Sequence, residues 1–395
     1  MTSHSHAARA APTRAAPTRA AQAGIGRDAL ANSVAPPLYL TSTYTVPGYL
    51  ETPPFDYGRG ANPTRDTLAD ALADLEGGAG ATVTSSGMSA LELVTNLVPT
   101  TSETGPGRIV APHDCYGGTH RLLTHRHRQG RYQVAFVDQH DPDAFRAACE
   151  GAQLVLVETP SNPLMRLYDI ARLAEIAHAA GAKVMVDNTF LSPARQLPLS
   201  LGADFSVHST TKSIAGHSDV VGGAVVSASA DDAEAMRWWA NCTGVTAGAF
   251  DSWLVLRGLR TLFVRMDAAE ANAARIADWL TARPEVTSLY FPGHNAHSDL
   301  VGTQQSGPGS VLSFELVPGG AKAVLESTKL LQPAPSLGGV ESLICHPASM
   351  THKGMEPAAR RQAGLGDDLM RVSVGVESGD DLLADLEQAF GMIPN

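Results

Sequence analysis

The 395-residue sequence predicts an α/β protein: a large domain on a mostly parallel sheet, followed by a smaller C-terminal α+β domain. Three observations carry this reading. From Ala81 onward, short apolar runs alternate with stretches of helical periodicity. Those runs are continuously apolar rather than alternating, as strands covered on both faces are. Beyond about Phe250 the pattern changes to one extended helical stretch, "AFDSWLVLRGLRTLFVRMDAAEANAARIADWL", with sparser strands after it.

Taken in order, the first 27 residues hold Arg9, Arg14, Arg19 and Arg27 without an acid, and "AAPTRAAPTRA" repeats five residues in tandem. Two prolines suit an amphipathic targeting helix poorly, so 1–27 is expected to be a disordered Ala/Pro/Arg leader. Residues 28–65 read as an N-terminal arm. The large domain, 66–255, takes its strands from "ATVTSSG", "GRIVAPHD", "YQVAFVD", "AQLVLVETP", "AKVMVDNTF", "ADFSVHST" and "GGAVVSA". One helix between them is spelled out by Ile170, Leu173, Ile176 and Ala177 before Gly181 ends it. The small domain, 256–395, hinges on the long helical stretch and adds "VTSLYFP", "SVLSFELV", "DLMRVSVGVE" and a last helix to Phe390.

Composition excludes several functions. The formal net charge is −11 and no Lys/Arg cluster marks a polyanion site, so no nucleic acid is expected. No apolar run approaches the roughly 20 residues of a membrane span. Cys115, Cys149, Cys242 and Cys345 are too scattered for a disulfide framework or a CxxC site, which suggests reduced thiols in a cytoplasmic protein. No GxGxxG, GxxxxGK or HExxH occurs, and no metal is expected.

In a parallel sheet, ligands sit beyond the carboxyl ends of the strands, so polar residues that follow apolar runs are informative. "LVLVE" leads to Asn162, "KVMVD" closes at Asp187, "ADFSVHS" leads to Lys212, and "ATVTSS" opens onto Gly87 and Met88. Lys212 lies among Ser209, Thr210 and Thr211 with no acid until Asp219. Desolvation lowers the proton affinity of such an amine and makes it a nucleophile toward a carbonyl. If the carbonyl is that of pyridoxal 5'-phosphate, Asp187 can sit beside the pyridine nitrogen. "SSGMSAL" supplies N–H donors at a helix start for the phosphate, Ser209 and Thr211 add hydroxyls, and Tyr116 can stack on the ring.

The ordered motifs "SSGMSA", "APHDCYGG", "ETPSNP", "VDNTF", "HSTTKSIAGHSDVVGG", "SLGGVESL" and "MRVSVGVE" resemble the Cys/Met-metabolism pyridoxal-phosphate enzymes. The resemblance implies fold type I, the aspartate aminotransferase-like fold, and covers nearly the whole chain except the leader. It implies Lys212 as the Schiff-base lysine, Asp187 as the partner of the pyridine nitrogen and Tyr116 as the stacked aromatic and acid/base. Gly87, Met88, Ser209 and Thr211 match the phosphate holders, Asn162 the neighbour of the phenolic oxygen, and Thr189 a further polar contact. Tyr57 and Arg59 match a pair that reaches the phosphate from a neighbouring subunit, which implies a homo-oligomer, a tetramer built from dimers. Arg371 and Ser336 match the clamp for the substrate α-carboxylate, and Arg121 is a candidate cation for an acyl group.

Within the family the sequence is similar to the bacterial cystathionine γ-synthases. That implies γ-replacement of the acyl group of an O-acyl-L-homoserine, succinyl or acetyl, by L-cysteine. The same residues serve a cystathionine γ-lyase or an O-acylhomoserine sulfhydrylase with a different second substrate. Two positions depart from the enterobacterial pattern: Gly60 stands where a second arginine is found, and Pro335 where a glutamate is common.

Overall fold

The computed structural model describes residues 14–101, 105–294, 297–353, 360 and 363–394. It begins with helix α1 (Ala16–Ala21), which the expectation of a disordered leader missed. Pro17 lies in the first turn, where a proline costs no hydrogen bond. Ala20 and Ala23 are buried, and Arg19 pairs with Asp74 at 2.6 Å. Residues 1–13 of that expected leader lie outside the described residues.

An irregular arm then runs to α2 (Pro63–Glu76), tied down by a few polar contacts. Asn62 caps α2 by accepting from the Thr64 and Arg65 amides, and its Nδ2 donates to the Tyr39 carbonyl at 2.9 Å. Such a cap contributes about 1 kcal/mol. Trp253 Nε1 holds the Pro36 carbonyl at 3.1 Å.

Seven strands follow: β1 (Gly80–Thr84), β2 (Arg108–Pro112), β3 (Gln133–Val137), β4 (Leu154–Glu158), β5 (Lys183–Asp187), β6 (Phe205–His208) and β7 (Gly223–Ser227). Their order in the sheet is β1-β7-β6-β5-β4-β2-β3, and only β7 runs antiparallel to its neighbours. The connecting helices are α3 (Gly87–Thr95), α4 (Gly117–Arg128), α5 (Pro142–Cys149), α6 (Ile170–Ala179) and the short α7 (Ser192–Arg195). They cover both faces. Leu156, Met185 and Val207 pack on one face with α3, whereas Val155, Val157, Val184 and Val186 pack on the other with α5 and α6. Every residue of β4 and β7 is buried, which explains their unbroken apolar runs.

After α8 (Ala230–Thr243), the stretch expected as one long helix is two: α9 (Ala249–Leu259) and α10 (Leu262–Thr281). Just before the break, in the last turn of α9, a Cβ on Gly258 would come within 2.1 Å of the Ala215 carbonyl oxygen, so the chain passes this point in close backbone contact. The expected boundary at 255/256 falls inside α9. The apolar core passes from one cluster to the next along α10 instead, between Met266 and Ala273.

The C-terminal part adds β8 (Val286–Tyr290), β9 (Val311–Leu316), α11 (Gly320–Ser327), β10 (Gln332–Pro333), β11 (Leu343–Cys345), β12 (Leu369–Ser373) and α12 (Gly379–Phe390). Their five-stranded sheet, β10-β11-β12-β9-β8, is antiparallel except for the β10–β11 pair. Arg371 stands in the middle of β12, facing the large sheet's strand ends.

Candidate active site

The carboxyl ends of β4, β5 and β6 and the start of α3 open onto a cavity of about 510 Å³, which the C-terminal part closes with Pro335, Ser336, Leu337 and Arg371. Of the fourteen residues singled out from sequence, twelve line it: Gly87, Met88, Tyr116, Arg121, Asn162, Asp187, Thr189, Ser209, Thr211, Lys212, Ser336 and Arg371. Tyr57 and Arg59 do not. They lie exposed on the arm, the Arg59 guanidinium 5.6 Å from the Tyr57 ring centre.

Lys212 enters from the turn after β6, and its Nζ donates to Ser336 Oγ at 2.9 Å. Burial, and then the charge of Arg371, lowers its pKa to about 8. Arg371 is itself buried. It donates from Nη1 to Asn162 Oδ1 and from Nη2 to the Ser336 carbonyl, each at 2.8 Å. Lysine and guanidinium therefore converge on the same serine from two sides.

Asp187 closes β5. Its Oδ1 accepts from the Thr189 amide at 3.1 Å and the Thr189 hydroxyl at 2.5 Å, and Thr189 Oγ1 in turn accepts from the Ser209 amide at 2.9 Å. Burial raises the Asp187 pKa, while the Thr189 hydrogen bonds and nearby His208 oppose that rise. A buried carboxylate braced in this way is suited to hold a cation at its free edge.

At the start of α3, Ser86 Oγ accepts from the Ser89 amide and the Ser86 carbonyl from the Ala90 amide. The Gly87 and Met88 amides of this first turn remain for an anion. A Cβ on Gly87 would lie 2.6 Å from that of Ser209, so glycine lets the helix start close against the loop carrying Ser209, Thr211 and Lys212. Thr211 Oγ1 accepts from the Gly222 amide at 2.9 Å.

Three features were missed from sequence. Glu158, the last residue of β4, is the register partner of Asp187 and lines the cavity. It accepts from the Tyr116 amide at 2.9 Å and the Asn162 amide at 3.1 Å, and burial, then Asp187, raises its pKa well above the usual range. Behind β6, His208 Nε2 meets Glu76 Oε1 at 2.6 Å with both side chains fully enclosed. His352 places Nε2 at 3.2 Å from the Asn162 carbonyl, and burial lowers its pKa to about 4, so it stays neutral. The polar end of "LVLVE" was the signal for Glu158. Nothing local to Glu76 or His352 announces them.

The family profile described as Cys/Met metabolism PLP-dependent enzyme matches residues 17–391. The chain belongs to that family. Among its relatives is cystathionine γ-synthase of Escherichia coli (strain K12), 50% identical over 376 residues, covering 93% of this chain and 96% of that protein. Cystathionine γ-lyase of Bacillus subtilis (strain 168) is 40% identical over 374 residues, covering 93% and 97%. A crystal structure of cystathionine γ-synthase from Xanthomonas oryzae pv. oryzae, in complex with aminoacrylate and cysteine, superposes with a TM-score of 0.93 at 45% identity, covering 96% of this chain and 99% of that one.

As a member of the Cys/Met-metabolism family, the chain is a pyridoxal-phosphate-dependent enzyme of fold type I. The cavity fits that cofactor on its own chemistry. It offers an amine of lowered proton affinity, a braced carboxylate and the glycine-floored helix start. Among the described residues no group of acids, histidines and cysteines could hold a metal ion, and no helix is long and apolar enough to cross a membrane. Cys115, Cys149 and Cys345 are buried and Cys242 is exposed, all as free thiols.

Proposed function

We propose that this enzyme is a cystathionine γ-synthase, replacing the acyl group of an O-acyl-L-homoserine by L-cysteine to give L-cystathionine and the free carboxylate. The observation that carries the choice within the family is the 50% identity to the E. coli synthase, against 40% to the B. subtilis lyase over nearly the same length.

When bound, pyridoxal phosphate withdraws the electrons released at the substrate Cα. The chain's own residues do the rest. Gly87 and Met88 amides with the Ser209 and Thr211 hydroxyls would hold its phosphate, Asp187 would keep its ring nitrogen protonated, and Thr189 braces Asp187. Tyr116 would stack on the ring and is placed to move a proton as the substrate amine arrives, while Asn162 would lie beside the phenolic oxygen. Arg371 grips the α-carboxylate in two-pronged fashion, oriented by Asn162 and Ser336.

The Lys212 amine would remove the Cα proton, release it, and, neutral again, remove a Cβ proton. Its position within reach of Ser336 and Arg371 supports this role. The carboxylate then leaves from Cγ, the cysteine thiolate adds there, and Lys212 returns the protons. Arg121 supplies a cation for the far carboxylate of a succinyl donor, and Pro335 lines the wall where a glutamate is common in relatives of that type.

Tyr57 and Arg59 are proposed to complete a neighbouring subunit's site. The arm that carries them also exposes Leu30, Leu40, Tyr49 and Leu50, apolar surface suited to a second copy, within a cytoplasmic homotetramer.

Product analysis tests the reading. Purified holoenzyme given L-cysteine with O-succinyl- or O-acetyl-L-homoserine should form L-cystathionine, and the Lys212→Ala protein should not. Formation of 2-oxo acid without cystathionine would overturn the synthase assignment.

A further inference from the structure

The turn that follows Lys212 is held by a cation outside the cavity. Arg265 stands on the first turn of α10, just beyond the break from α9. Its guanidinium donates to the carbonyls of Ser213 at 2.7 Å, Ile214 at 3.3 Å and Gly258 at 2.7 Å, and its Nε donates to Thr261 Oγ1 at 3.1 Å. All four acceptors are neutral. No carboxylate among the described residues pairs with it, and burial lowers its pKa to about 10.

Two glycines make room for this arrangement. A Cβ on Gly216, which has φ of +72°, would lie 1.8 Å from Arg265 Nη1, and one on Gly258 would strike the Ala215 carbonyl. Within the turn, Lys212 N donates to the Ser209 carbonyl at 3.1 Å and the Lys212 carbonyl accepts from Gly216 N at 2.8 Å. The Ser213 and Ile214 carbonyls are satisfied by Arg265. Desolvating a cation without a counter-charge is costly, and here it fixes the two residues that follow the lysine.

We propose that Arg265 is a positioning residue for Lys212: by clamping the carbonyls of residues 213 and 214 to the α9–α10 break, it sets the direction from which the amine enters the cavity. The proposal rests on Lys212 being the lysine that carries the cofactor. That amine must reach the cofactor in one state and the substrate protons in the next, and a displacement of about 1 Å costs such a group on the order of a hundredfold in rate.

The test compares holoenzymes of wild type, Arg265→Met, which keeps bulk without donors, and Arg265→Lys, which keeps the charge on one donor atom. Exchange of the Cα proton of L-cystathionine in deuterium oxide is measured per bound cofactor, since cystathionine is a ligand whether the enzyme makes or cleaves it. The expected result is a loss of about tenfold to a hundredfold in the Met variant. The Lys variant should be intermediate, the apparent affinity for cystathionine should be nearly unchanged, and the visible absorption of the bound cofactor should be altered. Wild-type exchange and absorption in both variants, whatever the melting temperatures, would overturn the proposal. Where the Met protein does not fold, the Lys variant decides by the same two readouts. A wild-type absorption band that survives Lys212→Ala would instead overturn the reading of Lys212 beneath it.

Discussion

Lys212 shows at the scale of one residue how the site changes ordinary chemistry. At neutral pH a solvated lysine is neutral in fewer than about one molecule in a thousand, whereas an amine with a pKa of about 8 is neutral in about a tenth. Raising the pH increases the neutral fraction until that pKa is passed. Capture of pyridoxal phosphate by the cofactor-free protein should therefore quicken up to about pH 8 and level off above it, as followed by stopped-flow absorbance. A profile still rising steeply beyond pH 10 would mean that the amine is not desolvated. Lys212→Ala should hold the cofactor loosely and lose about a thousandfold or more in turnover. Asp187→Ala should weaken both cofactor retention and Cα-proton release, measured by dialysis and by deuterium exchange, and wild-type values in both would remove its role at the ring nitrogen.

Among elements, the start of α3 and the ends of β4, β5 and β6 make the site by meeting at one edge. Gly87→Val would drive a side chain into Ser209, so the affinity for pyridoxal phosphate should fall at least about tenfold while far-ultraviolet circular dichroism stays unchanged; an unaltered cofactor titration would rule out this cradle. All seven strands of the large sheet were legible as short apolar runs, most plainly where the strand is buried on both faces, as in β4 and β7. Their polar ends pointed to Asn162, Asp187 and Lys212 for the same reason. What was not legible depended on contacts distant in sequence. The α9–α10 break follows Gly258, which packs close against Ala215 from far away in sequence, α1 is held by Asp74 and α2, and β10 and β11 are too short to show a period. Glu158 escaped notice because its partners, the Tyr116 and Asn162 amides, converge on it only in the fold.

The whole molecule has a seven-stranded and a five-stranded sheet, and the cavity lies where strand ends of the first meet residues of the C-terminal part, lined by Lys212 from one side and Arg371 from the other. The arm leaves Tyr57 and Arg59 exposed and outside that cavity. If they serve a neighbour, hybrid oligomers that mix Lys212→Ala subunits with Arg59→Ala subunits should regain activity neither parent has, since some sites then contain both intact residues. No recovery would confine each site to one chain. The central claim concerns the direction of the reaction, and one steady-state comparison on purified holoenzyme tests it most directly. The specificity constant for cystathionine formation, from O-succinyl- or O-acetyl-L-homoserine with L-cysteine, is set against that for cystathionine cleavage. The account predicts that formation from one of the two donors exceeds cleavage by about a hundredfold or more, a difference of roughly 3 kcal/mol in transition-state binding. Cleavage that matches or outruns formation would contradict it and make the enzyme a lyase built on the same residues.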